Sequence, residues 1–409
     1  MQTNIVDEIR QTAEGAEADR ILRNCVHCGF CNATCPTYQL LGDELDGPRG
    51  RIYQIKDMLE GGEVSRLTQR HLDRCLTCRN CETTCPSGVE YGKLVDIGRE
   101  MVEQRVTRPW RERVFRGLLR RILPEPRWFN PLLRAGQIVR PLLPATLKAK
   151  VPEREAPGAW PAARHDRRML VLQGCVQPAM APPINAAAAR VLDRLGISLI
   201  AADGVGCCGA IDQHLGAPAD ARERMRANID AWWPHVEAGA EAIVMTASGC
   251  GAVVREYADH LAGDPDYADK AARVAALTRD LSEVVADEDL TPLTPAEPPR
   301  VAVQTPCTLQ HAQGLPNAVS GLLARAGFAL TEVAEPHLCC GSAGTYSILQ
   351  PELASRLRDR KLGNLQADAP AVIVTANIGC LHHLAGAAAV PVRHWVELVD
   401  PAAGGAASP

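Results

Sequence analysis

Aromatic residues are scarce in this chain, with four Phe, six Trp and six Tyr among 409 residues. That argues against the stacked-base platforms of single-strand nucleic-acid proteins. Strong charge of either sign is also missing: 44 Lys and Arg against 48 Asp and Glu leave −4. No basic excess is therefore available to neutralise a phosphate backbone. No uninterrupted apolar run reaches the ~18 residues needed to span a bilayer. The first residues, MQTNIVDEIR, carry acids where a signal peptide would place a basic start and an apolar stretch. These absences lead to the expectation of a cytoplasmic protein with no nucleic-acid partner, in a compartment where thiols stay reduced. An apolar content of 46% and a charged content of 22% are those of a globular protein.

Cysteine, by contrast, is plentiful: there are 16. They fall into four groups that come in pairs. Cys25, Cys28, Cys31 and Cys35 repeat as Cys75, Cys78, Cys81 and Cys85. Further on, Cys175, Cys207, Cys208 and Cys250 repeat as Cys307, Cys339, Cys340 and Cys380. Two separate internal duplications account for all of them. Pro-rich seams around Pro152, Pro157 and Pro161, and around Pro292, Pro295, Pro298 and Pro299, read as linkers. The chain then divides into 1–107, a basic connector at 108–165, a first repeat at 166–290 and a second at 291–409.

Each of the first two groups reads C-x2-C-x2-C-x3-C-P. Three closely spaced thiolates can wrap one cubane while the fourth Cys reaches away; in two-cluster ferredoxins that fourth Cys serves the other cluster. The expected assignment is Cys25, Cys28, Cys31 and Cys85 for one [4Fe–4S] cluster, with Cys75, Cys78, Cys81 and Cys35 for a second. Zinc also takes four cysteines, but usually as two separated pairs. Between the motifs, IYQIKDMLEGG (52–62) has apolar residues at helical spacing and ends in glycines. The segment therefore predicts a helical ferredoxin-like domain. Arg49 and Arg51 could lie near a cluster and favour its reduced form; solvated arginines are the commoner outcome.

The later repeats alternate short apolar runs with helical patterns. MLVLQGC (169–175) and VAVQTPC (301–307) open them, and NAAAARVLDRLG (185–196) and NAVSGLLARAG (317–327) follow. Second apolar runs, ISLIAA (197–202) and FALTEV (328–333), precede the Cys-Cys-Gly, and AIVMTA (242–247) and AVIVTA (371–376) lead to Cys250 and Cys380. This is α/β patterning, with each Cys near the end of a strand, where open α/β sheets place ligands. The whole is expected to be an α+β multidomain chain: a helical ferredoxin-like domain, then two α/β Cys-Cys-Gly repeats related by pseudo-symmetry. Cys307, Cys339, Cys340 and Cys380 could hold a further cluster, as could Cys175, Cys207, Cys208 and Cys250. The alternatives are a substrate-facing thiol or buried cysteines acting as small hydrophobes. His337, His382 and His383 offer spare ligands or proton carriers in the second repeat, and His214 in the first; ordinary core or surface histidines are the simpler reading.

Two further features need weighing. Gly204-Val205-Gly206-Cys207-Cys208-Gly209, with Asp230 beyond it, fits a dinucleotide-binding pattern. Its variable positions are the paired cysteines, so dinucleotide binding is set aside and no hydride site is evident. Residues 108–150 hold 11 Lys and Arg against Glu112 and Glu125, interleaved with Trp110, Phe115, Trp128 and Phe129. Such a basic amphipathic segment can lie on an anionic membrane surface, or pack on the acidic domains or a partner subunit.

Over essentially its full length the sequence resembles the iron–sulfur subunits of anaerobic-type glycerol-3-phosphate, lactate and glycolate dehydrogenases, and of heterodisulfide reductase. Within that group, CVHCGFCNATCPTYQLLGDELDGPRGRIY (25–53), HLDRCLTCRNCETTCPSGV (71–89), TASGCGA (246–252), CCGSAGTY (339–346) and TANIGC (375–380) resemble the glycolate oxidase iron–sulfur subunits most closely. The resemblance implies two [4Fe–4S] clusters, one or two further clusters at the Cys-Cys-Gly repeats, and FAD-carrying partner subunits that oxidise glycolate to glyoxylate. A quinone-type acceptor, and a peripheral position on the inner face of the cell membrane, would follow. Heterodisulfide reductase repeats end in C-x-x-C; here Ala247 and Asn377 stand at the first Cys of that pair. A disulfide-cleaving reductase is therefore kept as an alternative, beside a lactate or glycerol-3-phosphate dehydrogenase subunit.

Overall fold

The computed structural model describes residues 1–148 and 150–402. Its N-terminal part is built from helices alone. Thr12 caps helix Ala13–Asn24 by accepting the Gly15 amide at 3.0 Å, and a Ser65–Thr68 capping box opens helix Arg66–Asp73. The helix expected at 52–62 runs Pro48–Leu59. It starts earlier because Pro48 suits a first turn, and Gly61, at φ +90°, ends it. Its buried Ile52, Ile55, Met58 and Leu59 meet Ile21 and Leu22 from one neighbour and Leu94 and Val95 from helix Tyr91–Arg105.

Two all-parallel sheets follow. Strands β1 (Arg167–Leu172), β2 (Ile197–Ile200), β3 (Ile243–Met245) and β4 (Thr278–Asp280) are ordered β2-β1-β3-β4. Strands β5 (Val301–Gln304), β6 (Val372–Thr375) and β7 (Val392–His394) are ordered β5-β6-β7. The apolar run at 328–333 forms no full strand, but Val301 bridges Leu330 in parallel register on the free side of β5. With that bridge counted, both sheets have the same order. The short edge strands β4 and β7 carry a charged or basic residue in every three, and apolar patterning misses them.

The helices expected at 185–196 and 317–327 run Pro183–Arg194 and Ala318–Arg325, followed by Gly196 at φ +80° and Gly327 at φ +87°. The first of them packs its buried face against Trp395 and Val396 of the second repeat. One hydrophobic cluster thus runs through both repeats, from Val171 and Val244 to Val319, Val374 and Trp395.

The connector forms two helices, Trp110–Ile122 and Pro126–Val139, in which no residue is buried. Three of its arginines are turned toward the body. Arg108 reaches Asp73 at 2.7 and 2.9 Å, Arg116 reaches Asp73 at 3.1 Å, and Arg120 reaches Asp212 at 3.1 Å and also Asp220. Trp110, Val114, Phe115, Leu118, Trp128 and Leu132 remain exposed. The amphipathicity is real, but much of its cationic side is paired with the acidic domains. No helix among the described residues is long and apolar enough to cross a membrane.

Candidate functional site

The two C-x2-C-x2-C loops repeat each other in backbone as well as in sequence. His27 and Gly29 in the first, and Thr77 and Arg79 in the second, all have positive φ, between 52° and 86°. Left-handed backbone at three residues other than glycine is uncommon and marks loops wrapped around something. Thr77 donates its amide to Cys75 Sγ at 3.4 Å, an N–H···S contact of the kind that tunes a cluster.

The fourth cysteines cross over. One cleft of about 430 Å³ is lined by Cys25, Cys28, Cys31 and Cys85, with Arg49, Tyr91 and Cys81 beside them. A second, of about 290 Å³, is lined by Cys35, Cys75, Cys78 and Cys81, with Arg51 and Tyr91. Tyr91 and Cys81 stand in both walls, so the two thiol groups are neighbours. Burial and then its thiol neighbours Cys25 and Cys85 push Cys31 up to about 11, and Cys78 and Cys81 are driven far above the ordinary thiol value, mainly by burial. Four crowded soft sulfurs with few other polar atoms fit an iron–sulfur cluster, whose iron would take the place of the thiol protons.

The Cys-Cys-Gly groups also converge. Cys175 and Cys307 follow β1 and β5, the paired cysteines lie in the loop after β2 and its counterpart, and Cys250 and Cys380 sit in the first turn of the helices after β3 and β6. Cys307 Sγ lies 3.8 Å from Cys339 Sγ. Contacts between side chains continue from Cys339 to Cys340 and on to Cys380. In the first repeat they run Cys175–Cys207–Cys208–Cys250. Hydrogen bonds from Cys175 and Cys208, helped by the Gly209 amide and Arg224, hold Cys207 well below the ordinary thiol value. The glycine of the motif is required by packing: at Gly341, φ +89°, a Cβ would come 2.5 Å from the Ala354 carbonyl oxygen.

Each of the four thiol groups has a cation beside it. Arg49 stands by Cys31 in the first cleft; Arg51, fully buried, by Cys35 and Cys75; Arg224 by Cys207; Lys361 by Cys339, Cys340, Cys307 and Cys380. Arg51 is no solvated arginine. Its Nε donates to His71 O at 2.7 Å, and its guanidinium shares buried Asp46 with Arg74 and His71. Lys361 Nζ donates to the carbonyls of Glu335 and Pro336 at 3.0 and 3.1 Å; burial pushes its pKa down while the thiols pull it back up. Neither Arg224 nor Lys361 could be found from sequence, because both lie in polar helices far from any cysteine.

The histidines are placed as the simpler reading has it, apart from the thiols among the described residues. His383 Nε2 faces Ala354 O at 3.1 Å, His382 Nε2 is buried with no hydrogen-bond partner among the described residues, and no hydrogen bond links His337, His382 or His383 to a cysteine. His214 is turned to the ferredoxin-type part, 3.9 Å from Asp96. His311 joins the second repeat to the ferredoxin-type part, contacting Thr83 Oγ1 at 2.9 Å and, within its own repeat, His337 O at 3.0 Å. Asn377, where a fifth thiolate would stand, donates to Cys380 Sγ at 3.5 Å and accepts the Gly249 amide of the other repeat at 3.2 Å.

The two domain types meet through their sites. Cys78 shares one apolar cluster with Cys339, Cys307, Leu76 and Tyr346. Burial and then the nearby Cys307 sulfur raise the Cys78 thiol.

Such a construction defines a ferredoxin-type iron–sulfur protein with appended cysteine-rich domains, and comparison with known proteins agrees. Residues 21–89 match the 4Fe-4S dicluster domain family, and residues 169–255 and 301–385 each match the cysteine-rich domain family. The chain is 57% identical to the glycolate oxidase iron-sulfur subunit of Escherichia coli (strain K12), over 98% of its own length and 99% of that protein. It is 32% identical to the probable glycolate oxidase iron-sulfur subunit of Bacillus subtilis (strain 168), covering 88% and 87%. Lactate utilization protein A of Geobacillus kaustophilus is 26% identical over 53% of this chain and 92% of its own. The chain belongs to the glycolate oxidase iron–sulfur subunit family.

Proposed function

We propose that this chain carries electrons from flavoprotein subunits, which bear FAD and oxidise glycolate to glyoxylate, toward a quinone-type acceptor. The observation that carries the reading is the apolar cluster that Cys78 shares with Cys339 and Cys307, which brings two thiol groups from different domains together. Bound iron–sulfur clusters would supply reversible one-electron chemistry at these positions. Cys25, Cys28, Cys31 and Cys85 would hold one [4Fe–4S] cluster, and Cys75, Cys78, Cys81 and Cys35 the second. Cys307, Cys339, Cys340 and Cys380 would hold a further one, and Cys175, Cys207, Cys208 and Cys250 another.

The protein's part is to fix spacing, exclude water and set potential. Arg51 and Lys361 place positive charge beside thiol groups that would turn more negative on reduction, which favours the reduced state. Domain limits at 107, 165 and 290 suit this division of labour, and the shared strand order supports reading the two repeats as pseudo-symmetric copies. The outward apolar face of helices Trp110–Ile122 and Pro126–Val139 supports a peripheral seat on the cytoplasmic side of the cell membrane, with Trp110 and Trp128 at the lipid boundary.

The isolated, cluster-loaded chain is expected to show no glycolate oxidation with a dye acceptor, because it has no hydride site. Joined to its flavoprotein subunits it should become reduced by glycolate, seen as bleaching of the cluster absorbance. Turnover by the isolated chain, or no bleaching in the complex, would overturn the reading.

A further inference from the structure

Among the sixteen cysteines only Cys28 is exposed. It lies at the edge of the cleft that Cys25, Cys31 and Cys85 complete. On the inner side of that cleft are Cys81 and, beyond it, the Cys78 contact to the second repeat. The line of thiol groups thus comes to the surface at Cys28 and runs inward from there.

The ground around Cys28 is apolar. Val26 is 67% exposed, Phe30 62% and Tyr53 58%. His27 packs its ring edge-on to Tyr53 with centroids 6.1 Å apart, and the Lys56 ammonium lies 6.0 Å from the centre of the Tyr53 ring. Gly29 has left-handed backbone, φ +86°, and lies against the Arg49 guanidinium. At the rim Arg49 pairs with Glu44 and Lys56 with Glu60. An exposed apolar ring whose Arg49 and Lys56 are both held by carboxylates fits a protein partner better than an anionic lipid or a nucleic acid.

We propose that the Cys28 face, ringed by Val26, Phe30 and Tyr53, is where the electron-donating flavoprotein subunit docks. This rests on the relay reading above and adds to it which end of the chain meets the donor. The inner end of the thiol line continues into this chain's own second repeat, so only the Cys28 end needs a separate protein to complete it. The connector is held elsewhere, its inward arginines pairing with Asp73 of the ferredoxin-type part and with Asp212 and Asp220 of the first repeat. Because the rim charges are internally paired, docking should rest on apolar burial and depend little on salt.

The test uses the complex of the full chain with its flavoprotein subunits, purified without oxygen. Tyr53→Glu and Tyr53→Arg each place a charge in the ring and leave Cys28 in place. Both are expected to keep the two ferredoxin-type EPR signals after dithionite reduction. Affinity for the flavoprotein, and the rate at which glycolate reduces the chain, should each fall at least about tenfold. Ile348→Glu, on the exposed surface of the second repeat, should change neither. Wild-type affinity should vary less than about threefold between roughly 0.05 and 0.5 M salt. Unchanged affinity and rate in both ring variants, an equal loss in Ile348→Glu, or a steep salt dependence would each overturn the assignment. If glycolate fails to reduce even the wild-type complex, the relay reading fails instead.

Discussion

Arg79, between two cysteines of the second ferredoxin-type motif, grips Glu256 of the first Cys-Cys-Gly repeat through both ends of its guanidinium. The Nη2–Oε2 hydrogen bond is 2.9 Å long, and both side chains are largely buried. A two-pronged arginine–carboxylate pair fixes orientation as well as distance. Arg79 also has one of the left-handed backbones of the thiol loop. The clasp therefore ties loop geometry to domain docking.

Removing the carboxylate leaves a buried guanidinium short of a partner. Glu256→Ala should lower stability by about 1–3 kcal/mol. Urea denaturation would measure this, and limited proteolysis should show earlier cutting between the domains. An unchanged midpoint would mean the pair contributes nothing to docking.

The crossed arrangement of fourth cysteines makes a sharp test. Cys35→Ser should damage the cluster assigned to Cys75, Cys78 and Cys81, whose cleft Cys35 completes. Low-temperature EPR with redox titration would separate the two signals. Loss confined to the cluster of Cys25, Cys28 and Cys31 would contradict the crossing.

Buried cations should set potentials. Arg51→Gln should lower the potential of the Cys35 group's cluster, and Lys361→Gln that of the Cys307 group's, each by an amount on the order of tens of mV. The physical cause is loss of a positive charge that favours reduction. Potentiometric EPR reads both shifts, and an upward shift in either would refute the electrostatic account.

Iron content tests the second repeat. Two ferredoxin-type clusters account for about eight irons, so further clusters must appear as an excess. Cys340→Ala should remove part of that excess and leave both ferredoxin-type signals in place. A wild-type chain loaded without oxygen that holds only about eight irons would remove the Cys-Cys-Gly sites from the relay.

Acid should weaken the second repeat through His394. Val396 donates its amide to Nδ1 at 3.3 Å and Nε2 faces Thr246 O at 3.0 Å, an arrangement for the neutral ring. Burial pushes its pKa down to about 3. The unfolded ring titrates near 6.5, so its contribution is whole above that pH and declines as pH falls toward 3, by about 1.4 kcal/mol per pH unit. Asp280 works in the opposite sense: burial lifts it to about 6, so its contribution is present below about pH 4 and lost as pH rises through 6. His394→Gln should flatten the decline between roughly pH 6.5 and 5, followed by the fluorescence of buried Trp395. An unchanged pH profile in the variant would show that His394 is not its source.

The sequence by itself determined the parts. Cysteine spacing identified four thiol groups, because cluster geometry demands fixed separations along the chain. Apolar periodicity located β1, β3, β5 and β6 and the helices between them, since those elements bury whole faces. It missed β4 and β7, three-residue edge strands whose charged residues break any apolar pattern. The amphipathic connector was legible as well, but not the direction of its faces: Asp73 and Asp212, distant in sequence, turn its arginines inward and leave its tryptophans outside. Only the tertiary structure placed Lys361 and Arg224 beside thiols, turned His214 toward the ferredoxin-type part, and set Cys78 against Cys307 and Cys339. Ligand spacing is a local property of the chain, whereas charge pairing and contact between sites depend on how separately folded faces meet.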